Sequence, residues 1–314
     1  MSDEYDIDDI DGIGEKTKKR FEDLGYTEIE DLVDEDPEAF EDTPISKHQA
    51  EMAITGANTL TVSFTSASTA REEYLNADRV PTGLDHLDRA IDGGLTRGQF
   101  QGVSGETGTG KTQVAWSSLI AAAEHTGQPA IYIETEPGRF APDRLDRLSN
   151  EPDTTDLIHK ASAHTLERQL SAYEAVMNDF EGQELSLIVI DSFNGAFRNS
   201  GKYEGRETMP QRNKDMRKHL NRVQDMADEH NAPILLANQV YSDVDVQGQH
   251  KTVEQREGNV WGSFQYKHQM YFNLALRSGQ GDRNTTARIR NHPECGTNEF
   301  DIEVTDDHII SKDA

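Results

Sequence analysis

The chain has 314 residues, of which 34% are hydrophobic, enough for a core of about 200 residues beside a small unit; no run reaches the roughly 18 apolar residues of a membrane helix. Asp and Glu number 58 against 31 Lys and Arg, a net charge of -27, and with only 12 Lys to 19 Arg this implies adaptation to high salt, where charges are screened within about 3 Å. That charge does not exclude nucleic acid, because a local basic stripe can bind phosphates, whereas the lone Cys295 does exclude an internal disulfide.

The acidic opening has neither a basic nor an apolar signal segment, so a cytoplasmic protein without a membrane partner is expected. Ile7, Ile10 and Ile13, then Phe21, Leu24 and Tyr26, then Ile29, Leu32 and Phe40 recur at helical spacing, predicting a small all-α domain over 1–57. Its turn Asp11-Gly12-Ile13-Gly14 precedes a helix predicted over Glu15 to Leu24 and ended by Gly25. Glycines before a helix let backbone N–H groups approach a phosphate, the pattern of a helix-hairpin-helix in which Gly12 and Gly14 contact DNA. Thr43-Pro44-Ile45-Ser46 would be a second hairpin without glycines, and a purely structural bundle is the alternative. Residues 58–80 read as a polar linker, and a new composition begins at Pro81-Thr82-Gly83.

Over 81–314, strands predicted at Phe100 to Ser104, Ala130 to Thr135, Leu185 to Asp191 and Pro233 to Asn238 alternate with helices at Lys111 to His125, Leu166 to Phe180 and Arg212 to Asn231. Such alternation predicts an α/β core with a mainly parallel central sheet. Gln269 to Leu276, Thr285 to Asn291 and Glu299 to Val304 read as further strands.

Gly105-Glu106-Thr107-Gly108-Thr109-Gly110-Lys111-Thr112 matches the phosphate-binding loop G-x-x-x-x-G-K-[ST], between a strand and a helix. Its backbone N–H groups are expected to face the phosphates of ATP, with Lys111 at the β/γ-phosphates and the Thr112 hydroxyl on Mg2+. The apolar run Leu185 to Ile190 ends in Asp191, a second candidate for Mg2+. Glu136, ending the preceding strand run Ile131-Tyr132-Ile133-Glu134-Thr135-Glu136, is the candidate base that activates the attacking water, with Glu134 its rival.

Taken together, the residues resemble the archaeal RadA recombinases over nearly the whole chain. The resemblance rests on the glycine hairpin, Phe64-Thr65-Ser66-Ala67 followed by Arg71 to Leu75, Arg79-Val80-Pro81-Thr82-Gly83, the phosphate loop continuing into Gln113, Glu134-Thr135-Glu136 with Phe140 to Arg144, Asp191-Ser192, Lys218-His219-Leu220 and Asn238-Gln239-Val240. It implies a RecA-like core behind the helix-hairpin-helix domain. The function implied is ATP-dependent assembly on single-stranded DNA, followed by pairing and strand exchange with double-stranded DNA.

The resemblance also implies residue roles. Phe64 and Ala67 look like the hook that docks into a neighbouring protomer to build a filament or ring. Arg144 matches an arginine lying against the adenine, a role suited to a planar guanidinium. Gln239 matches a residue that senses the γ-phosphate, and Pro293 belongs to a cap over ATP supplied by the neighbour. Arg198 to Arg212 corresponds to a first DNA loop, carrying Arg198, Lys202, Arg206 and Arg212 for phosphate contacts. The second loop, Tyr241 to Trp261, holds Asp243 and Asp245 with His250, Lys251 and Arg256 as basic candidates. Gly262-Ser263-Phe264 stands in place of Gly-Gly-His, and Asn291-His292-Pro293 in place of Asp-Ala-Pro, although His268 keeps a family position. These departures leave two alternatives to strand exchange: a mediator paralogue, or a scaffold whose assembly ATP gates.

Overall fold

The computed structural model describes residues 5–33, 35–62, 64–138, 140–203, 206–240, 269–278, 284–296 and 298–313. The chain divides into two compact units, Met1–Asn76 and Ala77–Ala314.

In the first unit, α1 (Glu15–Glu22) and α2 (Lys47–Leu60) pack with short 3-10 turns around a core that includes Ile7, Ile10, Phe21, Leu32, Phe40 and Ala53. Phe21 meets Phe40 edge-on, with ring centroids 5.4 Å apart. Ser46 and Gln49 form a capping box that starts α2, which explains why a helix begins at that turn without glycine. Gly56 lets α2 pass close to the first turn, since a Cβ there would lie 2.1 Å from Ile10 Cγ2. Helix α1 is two residues shorter than its periodicity predicts: the chain turns through Asp23 and Leu24 before Gly25 takes the left-handed conformation, φ 95°. Within the stretch 58–80 read as a linker, α2 continues to Leu60 and α3 (Ala67–Asn76) forms.

The second unit opens with a short antiparallel pair, β1 (Arg79–Val80) and β2 (Leu95–Thr96), on either side of α4 (Asp85–Ala90). There follow β3 (Phe100–Gly105), α5 (Lys111–Thr126), β4 (Ala130–Glu134), α6 (Pro142–Leu148), β5 (Ile158–Ser162), α7 (Leu166–Asp179), β6 (Leu187–Asp191), α8 (Gly195–Asn199), α9 (Met209–Glu229) and β7 (Ile234–Gln239). The chain ends in β8 (Met270–Ser278), β9 (Asn284–Arg290), β10 (Glu299–Val304) and β11 (Ile309–Asp313).

Among the described residues these strands form one nine-stranded sheet in the order β11-β10-β9-β8-β3-β7-β6-β4-β5. From β8 to β5 neighbours are parallel, and β9, β10 and β11 add an antiparallel edge. β4 and β6 are apolar almost without interruption because both faces are covered, while the equally buried β3 carries Gln101 and Ser104. In β6, Leu187 and Val189 enter one core with α5, while Ile188 and Ile190 enter the other with α7 and α9. The alternation follows from the two-residue period of a strand.

Two outer strands, β5 and β11, were not predicted. In β5 only Ile158 is buried, and an exposed edge strand shows no apolar pattern to read. Helix α9 starts at Met209, with Pro210 in its first turn, rather than at Arg212. Among the described residues no helix is long and apolar enough to cross a membrane.

Candidate functional site

The ends of β3, β7, β6 and β4 are adjacent in the sheet, and their carboxyl edge is where the predicted phosphate loop lies. Gly105 closes β3 at a crowded point: a Cβ there would stand 2.4 Å from Thr109 Oγ1 and 2.7 Å from the Leu276 carbonyl oxygen. Gly108 and Gly110 take φ of 85° and 89°, which lets the loop curl directly into α5. The helix N-terminus thereby aims its backbone N–H groups at the concave side of the loop, an arrangement suited to phosphate. Lys111 Nζ donates to the carbonyl oxygens of Gly105 at 2.9 Å and Glu106 at 2.7 Å, which holds the ammonium inside the loop.

Thr112 and Asp191, far apart in sequence, meet here. Thr112 Oγ1 donates to Asp191 Oδ2 at 2.7 Å, and the buried Tyr132 hydroxyl donates to the same oxygen at 3.0 Å. Burial raises the Asp191 carboxyl above the usual carboxylate range; the two hydroxyls and the Lys111 charge pull the other way, and the Glu136 charge raises it further. A buried carboxylate beside a hydroxyl suits Mg2+, which takes a few hard oxygens from protein and the rest from water and phosphate. Among the described residues there is no group of three or more His, Cys, Asp or Glu that could hold a metal.

The rivals Glu134 and Glu136 separate clearly. Glu134 ends β4, is 2% exposed, pairs with Lys160 at 2.7 Å and accepts from the Phe140 N–H at 3.0 Å. Glu136 instead lines the cleft of about 200 Å³ that also contains Lys111, Thr112, Asp191 and Gln239. Its Oε1 accepts from Arg198 Nη2 at 3.0 Å, Ser192 Oγ at 3.2 Å and Gln239 Nε2 at 3.3 Å. Thr135 ties the two strand ends together: it accepts from the Ser192 N–H at 2.8 Å and donates to the Ser192 carbonyl at 2.7 Å.

The loop residues Thr107, Gly108, Gly110, Lys111, Thr112 and Gln113 line the same cleft. Arg144, on α6, donates from Nε to Gln113 Oε1 at 3.1 Å and is pinned to the carbonyls of Thr305 and Asp306 at 2.6 and 3.1 Å, in the turn between β10 and β11. Pro293 does not line the cleft and is exposed in the turn after β9.

The residues expected on the first DNA loop do not all lie on a loop. Arg198 sits on α8 with its guanidinium bridging Glu136 and Gln239, and Arg212 lies half-buried in the first turn of α9, because the flanking helices extend into the predicted loop. Lys202 is exposed between them, and of Arg206 only the backbone is described, in a 3-10 turn. The second loop, Gly262-Ser263-Phe264 and His268 lie outside the described residues. In the first unit Gly12 takes φ 88°, and Gly14 caps α1 without a side-chain hydrogen bond. Phe64 is 98% exposed, and Ala67 is exposed at the start of α3.

Tyr132, Thr135 and Ser192 were missed by sequence reasoning as parts of the site. Their only sequence signal is adjacency: Ser192 follows Asp191, and Tyr132 shares the parity of Glu134, which pairs with Asp191 across the β4–β6 register.

A model of the Rad51 family matches residues 71–312. The chain is 29% identical over 259 residues to the DNA repair and recombination protein RadA of Cenarchaeum symbiosum, covering 77% of this chain and 64% of that protein, less than two thirds of its length. It is 27% identical over 256 residues to the protein of that name from Ignicoccus hospitalis, covering 76% of this chain and 77% of the relative. With the protein so named from Aeropyrum pernix the identity is 27% over 253 residues, 77% of this chain and 78% of the relative.

Proposed function

The chain belongs to the Rad51 family, and from that premise we propose that it is a DNA-stimulated ATPase of recombinational DNA repair that assembles on single-stranded DNA and exchanges strands with a duplex. The observation that carries this reading is the convergence of Lys111, Thr112, Asp191 and Glu136 in one cleft at the carboxyl edge of the parallel strands.

In this reading the loop N–H groups and Lys111 bind the phosphates of ATP and counter the charge that develops on the transferred group. Thr112 and Asp191 hold Mg2+, which when bound neutralises phosphate charge. Glu136 orients the attacking water and accepts its proton, and Gln239, at the end of β7, lies against Glu136 where it can register an occupied γ-phosphate position. Arg144 flanks the adenine, and the Asn291 to Pro293 turn caps the nucleotide of a neighbouring protomer. Phe64 and Ala67 are exposed as a docking hook must be, and Lys202, Arg206 and Arg212, with Gly12 and Gly14 of the helix-hairpin-helix, supply phosphate contacts to DNA.

The testing experiment measures ATP hydrolysis in molar KCl, the condition implied by the Lys-poor acidic composition, with and without single-stranded DNA, alongside strand exchange between a single strand and a homologous duplex. Turnover stimulated by DNA together with exchange is expected. A second reading, a mediator paralogue that binds ATP and DNA without exchanging strands, is favoured by Asn291-His292-Pro293: His292 is buried against Tyr271 and Phe272, so that the turn is fixed to its own core. Stimulated hydrolysis without exchange selects it, and absence of hydrolysis rejects the ATPase and leaves a scaffold whose assembly ATP gates.

A further inference from the structure

Arg198 closes a ring of three side chains. Its Nη1 donates to Gln239 Oε1 at 2.9 Å, its Nη2 donates to Glu136 Oε1 at 3.0 Å, and Gln239 Nε2 donates to that same Glu136 oxygen at 3.3 Å. The three residues come from α8, the end of β7 and the segment after β4. Glu136 and Gln239 line the cleft and Arg198 does not, so the guanidinium holds both from behind. Below it the helix is anchored, with Ala196 and Phe197 buried in the core, while the Arg198 side chain remains 21% exposed. The ion pair therefore joins a fixed support to an accessible cation.

The chemistry of the ring opposes the work assigned to Glu136. A general base must offer a lone pair to the proton of water, and an oxygen already accepting from a guanidinium, an amide and the Ser192 hydroxyl offers it poorly. With side chains only 21% and 15% exposed, neither charge can be left uncompensated, so the guanidinium leaves Glu136 only where another anion takes the carboxylate's place. Phosphodiester groups match the planar fork of arginine as well as a carboxylate does. Immediately beyond α8 the chain carries the exposed Lys202, a cation that would draw such groups towards this end of the helix.

We propose that Arg198 is a positioning residue that restrains Glu136 and Gln239, and that a phosphate of bound single-stranded DNA draws its guanidinium away and thereby releases Glu136 for hydrolysis. The inference rests on the reading of the cleft as a DNA-stimulated ATPase. It assigns the coupling between DNA binding and turnover to one side chain able to serve either anion.

The experiment measures steady-state ATP hydrolysis by the full chain, with and without oligothymidylate, in wild type, Arg198→Met, Arg198→Lys and the double variant Arg198→Met/Lys111→Ala. Arg198→Met should raise DNA-free kcat several-fold with KM for ATP unchanged, and oligothymidylate should stimulate it little further. Arg198→Lys keeps the charge but loses the fork, so its DNA-free kcat should exceed wild type by less than that of Arg198→Met; this gain over wild type tests the proposal even if the methionine variant does not fold. The double variant should be inactive, which assigns the gain to this cleft. Structural damage would lower kcat rather than raise it. A DNA-free kcat equal to or below wild type in a single variant that keeps its fold by circular dichroism, with wild type still stimulated by DNA, overturns the inference alone. No turnover in wild type or any variant overturns the ATPase reading and the inference with it.

Discussion

Thr112 Oγ1 donates to Asp191 Oδ2 across 2.7 Å, joining the first turn of α5 to the last residue of β6. Burial holds the Asp191 carboxyl above its unfolded range. The sign follows directly: its contribution to stability is present below the unfolded pKa and is lost as pH rises through the folded one, so at pH 7 the metal-free carboxylate opposes folding. Asp191→Asn should raise the unfolding midpoint of nucleotide-free protein at pH 7, measured by calorimetry, while Mg2+-dependent hydrolysis falls by about 100-fold or more. A lower midpoint would mean that the carboxylate stabilises the fold.

Lys111 is 7% exposed and held by two loop carbonyls. Lys111→Ala removes the ammonium expected at the β/γ-phosphates, and kcat should drop at least about 100-fold with secondary structure retained by circular dichroism. Turnover within a few-fold of wild type would move the phosphate site elsewhere.

Glu136→Gln and Glu134→Gln should fail in different ways. Glu136 lines the cleft, so its amide variant should bind ATP with near-normal affinity and hydrolyse it poorly. Glu134 is buried against Lys160, which is 31% exposed and thus partly screened, and Glu134→Gln should cost about 1–3 kcal/mol of stability. Denaturant titration and single-turnover kinetics on both variants separate the two; a kinetic defect confined to Glu134→Gln would exchange their roles.

His219 is buried between the rings of Tyr173 and Phe197, with Asp215 and Glu167 favouring its charged form and Lys218 opposing it. Burial dominates and holds its pKa down at about 4, below the ordinary 6.5. A depressed folded pKa contributes stability that is complete above 6.5 and lost as pH falls towards 4, worth at most about 3 kcal/mol. His219→Phe should flatten the acid limb of a stability–pH profile between those limits. An unchanged limb would place the acid sensitivity in other groups.

Phe64 is 98% exposed, so Phe64→Ala should leave the unfolding midpoint of the isolated chain unchanged. If the ring is the docking anchor, its loss at a well-packed interface costs about 2–4 kcal/mol, and sedimentation velocity should show smaller assemblies. Assemblies of unchanged size would make it an ordinary exposed residue.

Local chemistry was legible in the residues themselves. A glycine-rich loop entering a helix needs only backbone permissiveness and a helix N-terminus, and Gly105 to Thr112 folds as its pattern implies. Strands covered on both faces announce themselves by apolar runs, so β4, β6 and β7 were found with ends shifted by no more than two residues. The edge strand β5 was not, because solvent on its flank removes the pattern.

Only the tertiary structure decided which polar groups meet. Glu134 and Glu136 share a strand parity and look equivalent in sequence, but β4 ends at Glu134, and Thr135 bonds to Ser192, so one carboxylate stays in the core and the other enters the cleft. Arg198 read as one cation of a basic loop, yet it pairs with residues 62 positions before it and 41 after it in the chain. Backbone conformation is set largely by neighbours in sequence. A side chain's partner is set by which strand ends the sheet order brings side by side, and that order emerges only when the whole sheet closes around its two cores.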